Sequence, residues 1–385
     1  MQNLLLGTIF LTPLIAAIFD FGFEQIKVIF LYLAISILGL VWVIRDWNKL
    51  KIEWTNIKKA SLLFILSLLL TSIIGVDLNS SFLGKDPYFQ GIVFYAYLFL
   101  FSMIASTFKI ELKKVVFVLS LSCLFVSFFA VIQALQLYVL KIDIPNYAGR
   151  VVSTFGQPNL FSGFLVMSIP FIYLGLQTKW KKFYMLCLIF SSAGIVISAS
   201  RASIALLIGL LIFFFLKKIS IRLLWGIFVI FILLSFLFFL QKEIIQPENS
   251  EWLIQNAPEK RIIFWPVLID QFTKRWAFGY GLENIDIAFD QYEKFHSQRD
   301  PVYYHLKNIT LDRAHNYSID LLLFGGVLVF LSWLLLIWTL IKKIKRGFLL
   351  IPLVVYLVWI QFQIQGAVHL MYFWLLIGLI DQANT

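Results

Sequence analysis

Long apolar runs, each ended by a short polar stretch, follow one another along almost the whole chain. Twelve of them approach the roughly 20 residues that a helix needs to cross the hydrocarbon of a bilayer. They lie at 3–19, 27–44, 60–76, 91–107, 115–138, 159–177, 184–199, 202–216, 223–240, 317–340, 348–365 and 368–380. Those at 184–199, 202–216 and 368–380 are short, which predicts tilt, partial burial or re-entry. One interruption is long: 241–314, a 74-residue polar stretch between two apolar runs. The pattern predicts an all-α, polytopic integral membrane protein of about twelve transmembrane helices. It forms a single membrane domain over 1–385, with 241–314 inserted as one large loop.

Composition agrees. Of the residues, 61% are hydrophobic and 14% charged, against about 25% charged in soluble domains. The two cysteines, Cys123 and Cys187, sit in separate apolar runs. They predict small core residues, because a disulfide framework or a thiolate metal site needs clustered cysteines. The first run, "MQNLLLGTIFLTPLIAAIF", has neither a positive leading region nor a small-residue cleavage site, and reads as a first membrane helix.

Charge adds a direction. Loops 45–59, 108–114, 178–183, 217–222 and 341–347 hold 18 of the 32 Lys and Arg residues. The short loops between them hold only Lys85, Lys141, Arg150 and Arg201, with Lys27 at a helix edge. Positive charge in short loops marks the cytoplasmic side. Both termini are therefore expected in the cytoplasm, and 241–314 on the outer face. The net charge of +11 comes from cytoplasmic rims that suit membrane lipids. No basic face with interleaved aromatics lies in a soluble domain, so nucleic acid is not an expected partner. The 40 Phe and 12 Trp residues are expected to be mostly lipid-facing or interfacial. Lys outnumbers Arg by 23 to 9, which makes arginines on the outer face informative.

Four outer-face stretches carry candidate chemistry. In "AGRVVSTFGQPNLFSGFL", Arg150 precedes a turn at Gly156, Pro158 and Asn159 that opens a helix, whose free N–H groups favour anions. In "SASRASIALLIGLL", Arg201 occupies a tight turn between apolar helices, where a charge near hydrocarbon is costly. From Arg261, Ile262, Trp265, Leu268, Ile269 and Phe272 recur at helical spacing, predicting an amphipathic helix along the membrane surface. Pro266 predicts that this helix kinks or starts late. A basic residue at a helix start opposes the helix dipole, so Arg261 calls for another reason. In "RAHNYSIDLLLFGG", His315 and Asn316 stand at the mouth of the run at 317–340. Histidine suits proton transfer near neutral pH, and arginine pairs bidentately with phosphate oxygens. Three arginines and a histidine on one face fit a diphosphate leaving group and an acceptor hydroxyl. Each residue also has a plain reading: a loop or cap, a snorkelling arginine, a solvated charge, a structural histidine. His296, His305, His315 and His369 show no metal-ligand spacing, so no metal is expected.

Taken in order, "GQPN" at 156–159, "SRA" at 200–202, "RIIFW" at 261–265, "GYGLEN" at 279–284 and "HN" at 315–316 with Gly325 and Gly326 resemble the O-antigen ligase and O-antigen polymerase superfamily of bacterial envelopes. The resemblance covers residues from about 80 to 330. It implies a GT-C-like, all-helical glycosyltransferase of the bacterial inner membrane, active on the outer face without cofactor or metal. The implied donor is a glycan on undecaprenyl diphosphate, and the acceptor a glycan or lipid hydroxyl that attacks with inversion. By this resemblance His315 assists the acceptor, Arg201 and Arg261 hold the diphosphate, and Arg150, Asn159, Asn316 and Lys85 contribute to substrate binding. Departures exist: Gln157 replaces the usual Asn, and Phe324 stands where an acid is common. Asp320 is the carboxylate nearest to that position, read either as a support for the site or as a solvated helix end. Ligase and polymerase differ in acceptor and stay open here. So do a lipid-linked glycan flippase and a structural assembly protein, although few charges lie within the helices and no halves repeat.

Overall fold

A computed structural model describes residues 1–16, 22–46, 52–142, 144–216, 261–295, 311–344 and 347–384. The run at 223–240, the loop parts 241–260 and 296–310, and with them His296 and His305, lie outside the described residues. Among the described residues the chain is helical, and its one β-bridge joins Tyr147 to Arg150 across a turn.

The helices in order are α1 (Gln2–Leu11), α2 (Phe23–Asp46), α3 (Asn56–Ile73), α4 (Leu78–Leu83), α5 (Ile92–Thr107), α6 (Leu112–Ala134) and α7 (Pro158–Leu176). Then follow α8 (Lys181–Ile197), α9 (Arg201–Leu216), α10 (Arg261–Lys274), α11 (Ile285–Phe295), α12 (Tyr317–Lys343), α13 (Leu350–Trp359) and α14 (Ala367–Gln382). Among the described residues, five are long and apolar enough to cross a membrane: Phe23–Arg45, Asn56–Ile73, Leu112–Val139, Pro158–Leu176 and Tyr317–Lys343.

Two runs fold differently from their hydropathy. The first stops as a helix at Leu11 and tightens into a 3₁₀ turn over Thr12–Leu14, where Pro13 cannot donate to the ladder. The run at 348–365 is helical only to Trp359 in α13. Its remainder leaves the helix, and there Gln361, Gln363 and Gln365 are buried among apolar neighbours.

α14 forms the centre. Every residue from Ala367 to Asp381 is buried, as expected for a helix that is apolar all round and enclosed by protein. α5 lies along it. Trp333, Trp359 and Trp374 are fully buried and so are not among the lipid-facing or interfacial aromatics. Trp54, Trp180, Trp276 and Trp338 do sit on the outside. Cys123 and Cys187 are buried free thiols.

α3 and α12 pack along their length, tied midway by a Ser67–Ser332 hydroxyl bond of 2.7 Å. α12 is broken at Gly325 and Gly326. Through the break, the turn after α10 hydrogen-bonds to the helix. Tyr280 N–H donates to the Leu323 carbonyl at 2.7 Å, and Gly281 N–H to that of Phe324 at 2.8 Å. Val327 N–H donates in return to the Trp276 carbonyl at 2.8 Å. Gly326 has φ +61°, and a Cβ there would lie 2.3 Å from the Ala277 carbonyl carbon. The glycine pair thus lets a loop backbone enter a membrane helix and satisfy the groups that the break exposes.

Candidate active site

The turn bearing His315 is held from both sides. Ala314 N–H donates to Asp320 Oδ1 at 2.7 Å, and the Trp265 indole donates to the Ala314 carbonyl at 2.8 Å. Asn316 caps α12: its Oδ1 accepts from Ile319 N–H at 3.2 Å, and its amide nitrogen donates to the Gln361 carbonyl at 3.2 Å. This is an Asn N-cap with a second, tertiary use. His315 itself is half-buried and takes the left-handed conformation, φ +54°. Its ring faces Phe264 of α10, centroids 6.5 Å apart. Asp320 is therefore no solvated helix end: it is buried and fixes the residue before the histidine.

Beneath the turn, Arg313 and Glu283 form a buried ion pair. The guanidinium also lies over the rings of Tyr88 at 4.9 Å and Phe324 at 5.2 Å. Burial by itself would push the Arg313 guanidinium down; Glu283 and Asp320 together hold it above its ordinary value. The "GYGLEN" turn and the "HN" turn are thereby joined.

Arg150 and Arg201 open on one cavity of about 560 Å³, together with Asn159 and Gln363. Ala205, Leu206, Val358 and Phe362 form its apolar wall, and among the described residues no carboxylate lines it. Arg150 docks through two donors on the Ser198 carbonyl, at 3.0 and 2.8 Å, and reaches Asn159 Oδ1 at 3.3 Å. Burial lowers the Arg150 guanidinium from its ordinary range, and the positive charge of Arg201 adds to the lowering. Arg201 is the exposed first residue of α9, after a turn in which Ala199 has φ +52°. Asn159 lies in the first turn of α7, behind Pro158 and the left-handed Gly156. Two cations, amide groups and an apolar wall suit an anion attached to something apolar.

Residues 358–363 connect cavity and histidine. Val358, Phe362 and Gln363 line the cavity. Between them, the Ile360 carbonyl accepts from Tyr317 N–H at 3.0 Å, and the Gln361 side chain accepts from Ser318 Oγ at 2.8 Å.

The other expected residues are placed as follows. Arg261 opens α10, whose next turn carries Phe264 and Trp265 against the His315 turn; the Arg261 side chain lies outside the described residues. The helix does not start late, and Pro266 is accommodated within it. Its buried face is Phe264, Val267, Leu268 and Gln271, rotated from the expected stripe, while Trp265, Ile269 and Phe272 are only partly buried. α10 packs on α11 and α12. Lys85 pairs with Asp286 of α11 and does not line the cavity.

Sequence reasoning missed Gln363, the Arg313–Glu283 pair, and Glu24 with Lys27. Lys27 is fully buried and donates to the Thr154 carbonyl at 2.7 Å. Glu24 accepts from Ala367 N–H at 2.6 Å. The available signal was two charges three residues apart at the edge of an apolar run.

No curated protein matches the chain. Over residues 185–334, which include Arg201, α10 and the His315–Asn316 turn, it matches the family model described as O-antigen ligase.

Proposed function

We propose that the chain is a multi-pass glycosyltransferase of the bacterial cytoplasmic membrane, ligase-like, that moves a glycan from undecaprenyl diphosphate to an acceptor hydroxyl. In this reading it has about twelve spans in one GT-C-like membrane domain, both termini lie in the cytoplasm, and the site faces outward. The observation that carries it is the cavity on which Arg150 and Arg201 open, joined through residues 358–363 to the turn of His315. A lipid diphosphate presents its sugar bond at headgroup depth, and these groups stand at helix mouths.

The step needs no metal in this reading. The acceptor oxygen attacks the anomeric carbon and forms the new glycosidic bond as the bond from that carbon to the diphosphate oxygen breaks. Attack from the opposite face inverts the centre. The electron pair leaves with the lipid diphosphate, where Arg201 and Arg261 hold the growing charge and Arg150 supports them. The acceptor proton passes to His315 or to the departing diphosphate. Asn159 and Asn316 shape the turns that present these groups.

The test is transfer by the purified protein from lipid-linked glycan, with lipid A–core and a second lipid-linked repeat offered in turn. Turnover on the first marks a ligase and on the second a polymerase. His315→Ala is expected to lower turnover about 10²–10⁴-fold. Arg201→Lys is expected to fail as well, because a point charge cannot replace a planar fork. Wild-type rates in both variants, or loss of activity with a chelator, would overturn the mechanism.

A further inference from the structure

The α3–α12 pair carries a second cavity at the end away from His315. It lies between the start of α3 and the last turns of α12 and has a volume of about 380 Å³. Its rim carries Lys59, Lys342 and Lys343, and its wall Leu63, Leu335 and Trp338. Lys342 Nζ sits over the Trp338 ring, 4.4 Å from its centroid. Among the described residues, no acidic residue lines the cavity.

The neighbouring basic residue is treated differently. Lys58 is buried and pairs with Asp381 at 3.4 Å. Lys59, Lys342 and Lys343 are exposed, and none pairs with a carboxylate among the described residues. Three like charges around one concavity repel one another, and an anion seated there relieves that repulsion.

The wall defines the rest of the ligand. Leu63 and Leu335 are exposed, and the apolar surface continues past them along both helices through Leu66, Leu70 and Leu331. A free phosphate has no use for such a wall; a molecule with an anionic head and a hydrocarbon tail does. Trp338 stands where the head meets the tail, the position indole rings favour at membrane interfaces.

We propose that this cavity binds one anionic phospholipid. Its phosphate lies among Lys59, Lys342 and Lys343, and an acyl chain runs in the groove between Leu63 and Leu335. The site is separate from the glycan chemistry, because α12 spans 27 residues between the two, about 40 Å of helix.

Native mass spectrometry of the full-length protein in mixed micelles tests this, with equal amounts of dioleoyl phosphatidylglycerol and dioleoyl phosphatidylcholine. Wild type is expected to retain the glycerol lipid at least about fivefold better. Each Lys→Gln change among Lys59, Lys342 and Lys343 is expected to lower retention about fivefold, the factor set by one basic residue near an anionic surface. A triple Lys→Arg variant is expected to retain it as wild type does. The three side chains are exposed, so unchanged melting confirms that the variants are folded. Equal retention of both lipids, undiminished retention in the triple Lys→Gln variant, or displacement by glycerol 1-phosphate at equal concentration would overturn the proposal. The last outcome would mark an anion site indifferent to the hydrocarbon tail.

Discussion

The two ends of the α3–α12 pair handle charge in opposite ways. At the His315 end, Arg313 and Glu283 are buried against each other, and Asp320 is buried against the backbone of Ala314. At the other end, Lys59, Lys342 and Lys343 stand exposed around an apolar groove. Burying a charge is expensive unless its partners are fully arranged, so the first end spends stability on fixed geometry. Apart from the buried Lys58–Asp381 pair, the second keeps its charges wet, where an incoming headgroup meets them at little cost. The difference teaches which end needs a unique shape. A turn that must hold His315 in a left-handed conformation requires it; a headgroup site does not.

Glu283→Ala breaks this contrast most severely. It leaves Arg313 charged and buried without its carboxylate, and loss of one partner of a buried pair costs about 3–5 kcal/mol. A large drop in melting temperature of the purified protein is expected, and unchanged melting would mean that the pair is not what joins the two turns. Gly326→Ala comes next. Its positive φ and the close approach of Ala277 are expected to cost about 1–3 kcal/mol through backbone strain. Faster amide hydrogen exchange at residues 276–281 would show that the loop had left the helix break.

Part of this was legible in the sequence. Arg150, Asn159 and Arg201 share a cavity, and each lies beside a turn that its local residues announce: Pro158 after Gly156, and serines around Arg201. The His315–Asn316 turn and the glycine pair were equally visible, because caps and breaks are local chemistry. Gln363 was not. It lies inside an apolar run, where glutamines alternating with Ile and Phe read as the end of a span. The central place of α14 was hidden for a related reason. Lipid tails and protein interior are similarly apolar, so hydropathy cannot tell a lipid-facing helix from an enclosed one. The Arg313–Glu283 pair was illegible because its partners stand 30 residues apart, and only the docking of the "GYGLEN" turn into α12 brings them together.

Two milder substitutions sharpen the comparison. Asp320→Asn keeps an acceptor for Ala314 N–H but removes its charge, so about 1 kcal/mol of stability is expected to be lost, the difference between a charged and a neutral hydrogen bond. Turnover should fall by more than the melting shift alone would explain, because the turn it fixes is the one that aims His315. A fall in melting with unchanged turnover would confine Asp320 to structure. Lys59→Gln is the smallest case. An exposed lysine with no carboxylate partner among the described residues contributes within about 0.5 kcal/mol to folding, so melting in neutral detergent should match wild type. Added anionic phospholipid should then raise the melting temperature of wild type more than that of the variant, since a ligand stabilises only the state that binds it. Equal rises would mean that lipid acts on the whole surface, and the contrast between the two ends would then rest on buried charge alone.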